Sequence, residues 1–466
     1  MARTVAGLGP GTRLADYITL GVVAKTFPLA MIRALLTETG RASQRERDLP
    51  AHVMVYYVIA LALYGGVSSR EVLRCLLEGM RWLAGPDARL TPAGRSGISQ
   101  ARTRLDEAPL RRLYETVVRP LATAATPGAY YRQWRTVSLD GTTLDVADTA
   151  ANAEAFGRPP ASRGASAFPQ VRLVTLAETG THVLFGAQLA PYATSEATLA
   201  HAAVAALTPG LLCVADRFFP GFDLWQRATA TGADLLWRIR KHAHLPVLER
   251  LADGSSLSVL QATWHCRATD RQPQRVRVIE YTLPGVPNAD PIYRLVTTVL
   301  DPAAAPAAEL AALYQERWEI EGAFDELKTH LKGAQVVLRS KTPDLVRQEV
   351  YGLLLAHYAV RGLIQEAALG GAPDAARDPD TLSFVHAVRV IRRTGRPGLL
   401  PQMAALPPSG PAAAARDDPR RAARRAGEPE PRARRAAGRQ TEDDALPPAT
   451  SHPAAHHTPR LHPVHL

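Results

Sequence analysis

The sequence predicts a mixed α/β sheet with helices on its faces, preceded by an all-helical region. Two patterns carry this. Residues 12–125 show helical apolar spacing without strand-like alternation, and from Thr136 onward short apolar runs alternate with helical stretches. A third observation sets the scale: of 466 residues, 46% are hydrophobic and 21% charged. That suffices to bury cores in roughly two to four domains.

Within the helical region, Leu20 to Leu36 is one apolar-periodic stretch. Asp48-Leu49-Pro50 reads as a helix start with Pro in the first turn. His52 to Tyr64 is apolar all round, as in a helix buried in a bundle. Ser68 and Ser69 cap a helix over Glu71 to Leu83. Ser96 to Leu105 reads as a short basic helix, and a second follows from Pro109 with Arg111 and Arg112. Such a pair suits DNA reading or a hairpin with a solvated basic face.

From Thr136 the chain turns to strands. Thr136 to Gly141 alternates and is predicted to end in a turn at Asp140-Gly141. Val171 to Ala177 and His182 to Ala190 form a hairpin around Glu178-Thr179-Gly180. Ser195 caps a helix to Leu207, Leu211 to Ala215 is a buried parallel-type strand, Phe222 to Ala230 a helix and Leu235 to Arg240 a strand. Residues 242–290 are β-like and read as an inserted β subdomain, with Asp253-Gly254 as a hairpin turn. Tyr293 to Leu300 is a buried strand, Pro306 to Lys332 one long helix ended by Gly333, and Asp344 to Ala368 another.

Charge and composition narrow the function. The net charge is +11, which favours an acidic partner such as nucleic acid. Three widely spaced cysteines, Cys75, Cys213 and Cys266, exclude a disulfide scaffold and a cysteine zinc site. The longest apolar run, Val53 to Tyr64, is too short to span a membrane, and the first 30 residues show no secretion signal. A reducing cytoplasmic setting is expected. Lysine occurs only five times, three of them between Lys328 and Lys341. With so much Arg, Ala, Gly and Pro, this suggests a GC-rich bacterial gene that keeps lysine where it is needed.

Three acids stand where such a sheet presents functional groups: Asp140 and Asp216 at strand ends, and Glu321 in the long helix. Converging carboxylates hold hard divalent cations, and two such ions drive in-line phosphoryl transfer. Each acid alone is weak evidence, since an Asp after a strand is commonly a turn residue. At about 100° per residue, Tyr314, Arg317, Glu321 and Lys328 fall within an arc of about 60°. This stripe adjoins the apolar face of Ile320, Phe324, Leu327 and Leu331. It suits metal and phosphate binding, although spacing alone favours a solvated, salt-bridged face.

The segment Tyr314-Gln-Glu-Arg317-Trp-Glu-Ile-Glu321-Gly-Ala-Phe-Asp-Glu-Leu-Lys328 resembles the Tyr-Arg-Glu-Lys signature of the insertion element 4 family of bacterial DDE transposases at all four positions. Asp140-Gly141-Thr142 and Asp216-Arg217-Phe218 resemble its first and second acid motifs, and the likeness spans roughly residues 12–365. The resemblance implies a helical N-terminal domain (12–125) for DNA end binding. It implies an RNase H-like catalytic domain (130–370) with a β insertion at about 242–290. It implies cut-and-paste transposition with two Mg2+ ions (Mn2+ able to substitute) held by Asp140, Asp216 and Glu321. Tyr314, Arg317, Lys328 and Arg217 would hold the DNA backbone, with Arg339 in Leu338-Arg339-Ser340-Lys341 a further candidate. Tyr293 stands in register with an aromatic that, in the family, stacks on a flipped base; the alternative is an ordinary packed strand residue. Implied partners are double-stranded DNA at terminal inverted repeats, target DNA, and a second copy on paired ends, with no membrane. Asp145 and Asp148 lie beyond the matched position and read as turn or strand-end residues.

Residues 401–466 contain 16 Ala, 12 Pro and 10 Arg but no aromatic residue, so a disordered tail (400–466) is expected. His452, His456, His457, His462 and His465 lack a scaffold for specific metal binding. Such text resembles a GC-rich gene read out of frame. A frameshift between about residues 395 and 420 is therefore predicted, to be checked by translating the other two frames. The competing functions are a nuclease or resolvase of the same fold, and a defective copy that binds element ends without completing transposition.

Overall fold

The computed structural model describes residues 18–44, 49–84, 94–160, 168–219, 221–240, 243–262, 271–283, 290–334, 336–370, 377–393 and 460–461. The expected tail, apart from Arg460 and Leu461, lies outside these residues, as do Cys266 and the break near 395–420.

The N-terminal region is helical: α1 (Ile18–Thr26), α2 (Leu29–Glu38), α3 (Ala51–Leu63), α4 (Ser69–Ala84), α5 (Arg95–Leu105) and α6 (Ala108–Val117). The predicted stretch from Leu20 to Leu36 is split at Pro28, which lacks the N–H needed to continue α1. Every residue of α3 from Val53 to Leu63 is buried, as an all-apolar helix requires.

The strands are β1 (Tyr130–Tyr131), β2 (Trp134–Asp145), β3 (Gln170–Glu178), β4 (Leu184–Pro191), β5 (Leu211–Ala215), β6 (Asp234–Arg238), β7 (Glu249–Arg250), β8 (Ser256–Leu260), β9 (Gln274–Thr282), β10 (Tyr293–Thr297) and β11 (Arg460–Leu461). Helices α7 (Ala150–Phe156), α8 (Glu196–Ala203) and α9 (Phe222–Thr229) connect them. They form one mixed sheet in the order β4-β3-β2-β5-β6-β10-β9-β8-β7. The β2–β3 and β3–β4 pairs are antiparallel, and β2–β5 and β5–β6 parallel. This is the RNase H-like arrangement. The inserted strands β7 to β9 continue the same sheet through β10.

After β10 come α10 (Ala307–Leu313), α11 (Glu319–Asp325), α12 (Pro343–Leu369) and α13 (Phe384–Arg393). The single long helix expected over Pro306 to Lys332 is three geometries instead. A 3-10 turn spans Tyr314–Trp318 between α10 and α11, and a π-helical turn spans Glu326–Leu331. Gly333, at φ +104°, closes the run as expected.

Helix α12 joins the two regions. It crosses α3 so closely that a Cβ on Gly352 would lie 2.7 Å from the Val58 carbonyl oxygen. Arg102 of α5 is buried against it, donating to Gln348 Oε1 (2.7 Å), Ser340 Oγ (3.0 Å) and the Leu345 carbonyl (3.0 Å). Among the described residues no helix is long and apolar enough to cross a membrane.

Candidate active site

One strand register brings the first two acids together. In the parallel β2–β5 pair, Leu139 lies opposite Ala215, the last residue of β5. Asp140 and Asp216 are the next residues along each strand. Asp140 does not end β2 as predicted: it pairs with Thr175 of β3, and β2 continues to Asp145. Only its β5 neighbour has stopped, so the acid sits at a one-sided opening in the middle of a strand. The site thus lies where the parallel partner leaves the sheet.

The helical run after β10 packs across this opening. Arg317 Nη1 lies 3.3 Å from Asp140 Oδ2, and Lys328 Nζ donates to Thr142 Oγ1 at 3.0 Å. Asp140 and Thr142 are two residues apart and share a face of β2. Glu321 is exposed, and its charge acts on Arg317 together with those of Asp140 and Asp216. Burial pushes the Asp140 carboxyl up to about 7; Arg317 opposes this, and the Asp216 and Glu196 charges add to it. Burial works against the Arg317 charge, but Tyr314 and the surrounding carboxylates outweigh it. Burial holds the Lys328 amine below its usual range.

All-oxygen carboxylates among which burial, with the neighbouring Asp216 charge adding to it, lifts Asp140 toward neutrality fit a hard divalent cation. Arg317 Nε is buried without a hydrogen-bond partner, which fits a further anionic group such as a phosphate. In the present arrangement no three His, Cys, Asp or Glu among the described residues form a ready cage. Arg317 of the signature run faces Asp140.

The other sequence candidates divide. Arg217 is part-exposed, 3.2 Å from Asp290 and against the ring of Phe218. Phe218 itself is open to solvent. Tyr314 is buried among Arg317, Arg238 and Asp216, and burial pushes its phenol up to about 12. It supports Arg317 and offers no open contact to a DNA strand. Tyr293 does not present an open face: it is 2% exposed, stacks on Tyr281 at 5.2 Å and lies under Arg238 at 4.4 Å. The sheet packing holds its ring. Arg339 likewise points inward, donating to the Val67 and Gly65 carbonyls at 2.9 and 2.6 Å. It braces the helical region. Asp145 accepts from Gln170 Nε2 at 2.7 Å and serves as a strand-end residue, as read.

Three groups near the site escaped the sequence reading. Arg238 pairs with Asp290 at the end of β6, beside β5. Glu196 follows the capping Ser195 and packs on Gly141, where a Cβ would meet its Cδ at 2.6 Å; Arg172 pairs with it at 2.5 Å. Glu326, within the signature helix, is buried away from the opening. None is one of the four signature positions or an acid-motif residue; a buried acid amid an apolar periodicity was the one available signal for Glu326.

Residues 17–115 match the insertion element 4 transposase N-terminal family, and residues 133–359 match the transposase DDE domain. The chain is 27% identical over 402 residues to the transposase InsG for insertion sequence element IS4 of Escherichia coli, covering 84% of this chain and 86% of that protein. It is 25% identical over 215 residues to the putative transposase InsZ of the same organism, covering 46% of this chain and 69% of that protein. A solved piggyBac transposase synaptic complex with hairpin DNA superposes with a TM-score of 0.42 at 11% identity, over 88% of this chain and 86% of that one. With both regions matched in order along the chain, it belongs to the insertion element 4 family of DDE transposases, enzymes that cut DNA and join its strands.

Proposed function

We propose that Asp140, Asp216 and Glu321 are the metal-holding carboxylates of cut-and-paste transposition, acting on element-end and target DNA. The observation that carries this is the shared opening: Asp140 and Asp216 each follow the last residue paired between β2 and β5, Leu139 and Ala215, and Arg317 of the signature run reaches Asp140. Mg2+ or Mn2+ held there would supply Lewis-acid stabilisation of the reacting phosphate oxygens.

The chain's own groups do the rest. Arg317 presents a guanidinium whose Nε has no protein partner, suited to a phosphate oxygen beside the scissile bond. Lys328 and Arg217 extend positive charge along the strand to either side. Tyr314 backs Arg317 from the buried side and keeps water from it. The helical region (12–125) is read as the end-binding part, with exposed Arg95 and Arg104 on α5 toward DNA, and a second copy on the paired end. The setting is the bacterial cytoplasm, on the nucleoid.

The test is strand cleavage on a DNA carrying the element end with Mg2+. Asp216→Asn and Glu321→Gln are expected to abolish cleavage while end binding stays within about twofold. Cleavage near the wild-type rate in either variant overturns the assignment.

A further inference from the structure

The face of the signature run turned away from the opening carries a second set of residues. Glu319, Gly322 and Glu326 are spaced three and four apart and meet one structure, the β3–β4 turn. The Gly180 N–H donates to Glu319 Oε2 at 2.6 Å. A Cβ on Gly322 would lie 3.1 Å from His182 Cε1. Glu326 Oε1 lies 3.0 Å from His182 Nδ1.

Glu326 is held from α12 as well. Arg361 donates to Glu326 through Nε (2.8 Å to Oε2) and through Nη2, and His357 Nε2 lies 3.1 Å from Oε2. His182 Nε2 in turn lies 3.0 Å from Asp380 Oδ1. His182, Glu326, His357 and Arg361 are all buried. The charges balance: burial and Arg361 depress the His182 imidazole, but Asp380 and Glu326 lift it to about 10. Burial alone would raise the Glu326 carboxyl, yet Arg361 and His182 hold it well below the usual range.

An ion cluster of this kind adds little stability over a packed apolar core; its use is directional. Apolar contacts allow a helix to slide or turn, whereas one carboxylate gripped by three partners from two elements does not. The grip has a local consequence. The π turn begins at Glu326, and the Lys332 N–H donates to the Leu327 carbonyl at 3.1 Å, five residues back. Such turns persist where a side-chain contact holds them and are frequent at functional sites. Lys328, which reaches Thr142, lies inside it.

We propose that the buried Glu326–Arg361–His182 cluster is a positioning device for the transposition chemistry, setting the rotation and axial placement of the run that carries Arg317, Glu321 and Lys328 over Asp140 and Thr142. Glu326 is its central positioning residue. The inference rests on the reading of Glu321 as a reacting group, and the experiment separates the two.

Full-length protein is bound to element-end DNA, and single-turnover cleavage is measured per bound complex, alongside end affinity and melting temperature. Glu321→Gln tests the site reading itself: if it cleaves normally, that reading fails. Given its loss of cleavage, Glu326→Gln is expected to slow cleavage at least tenfold per bound complex with affinity within twofold. Gly322→Ala is the gentler probe, because its methyl asks the run to give by a few tenths of an ångström against the imidazole. It is expected to fold with a melting temperature close to wild type, bind ends normally and cleave about 10–100-fold more slowly, as sub-ångström misplacement does. In a His182→Ser background the same methyl meets no ring and adds no further slowing. Wild-type cleavage per bound complex in Gly322→Ala overturns the proposal, whether or not Glu326→Gln folds. So does an equal methyl effect with and without the His182 ring.

Discussion

Replacing Arg102 by Ala tests whether the basic helix α5 acts through its charge or through its packing. Arg102 is 7% exposed and makes three side-chain hydrogen bonds, to Gln348, Ser340 and Leu345, all on or just before α12. Bonds to a charged donor are worth roughly 1.5–3 kcal/mol each. They are not additive, and water enters the space left, so about 3–5 kcal/mol is expected in total. That lowers the melting temperature by about 5–10 °C. Lys cannot restore the forked geometry and is expected to recover less than half of the loss. Differential scanning calorimetry reads the shift. The salt dependence of end binding reads the other possibility. Arg104→Ala, on the exposed side of the same helix, is expected to leave stability within about 0.5 kcal/mol and to flatten the salt slope by about one unit. If Arg102→Ala keeps its melting temperature but loses salt-dependent binding, the argument that this guanidinium is a strut between the two regions is wrong.

The buried histidine makes stability fall with alkalinity. His182 is lifted to about 10 in the folded chain, so its contribution is complete below the ordinary histidine range near 6.5 and is lost as pH rises through 10. Urea denaturation between pH 7 and 9 is expected to show wild type losing on the order of 1 kcal/mol per pH unit more than His182→Asn; parallel slopes would refute it. Tyr293→Phe keeps the stack on Tyr281 and loses only the bond from the Asp290 N–H (3.2 Å), so end binding is expected to be unchanged. Tyr293→Ala is expected to destabilise the chain by about 3–5 kcal/mol as a truncated core aromatic. A stable Tyr293→Ala with weakened binding would return the ring to a base-stacking role.

Local sequence carried most of the elements and the family, though not the breaks in the helices expected over Leu20–Leu36 and Pro306–Lys332. Strand alternation, the all-apolar α3, the capped α8 and the hairpin at Gly180 follow from side-chain periodicity and local turn chemistry, which need no distant partner. The signature run and the two Asp motifs are local strings, so they too were legible. The tertiary structure decided everything that depends on a contact across many residues. Asp140 looked like a strand end because Gly follows it; pairing with β3 carries the strand on, and the opening comes from β5 stopping beside it. Periodicity predicted one long helix, but Glu326 finds Arg361 and His182, 35 and 144 residues away, and that grip goes with a π turn no local propensity encodes. Arg102, Arg339 and Tyr293 carry residue types that suit DNA, yet they point inward. Only the packing of α12 and the sheet sets which side of each element faces water, and a single basic or aromatic residue carries no record of that choice.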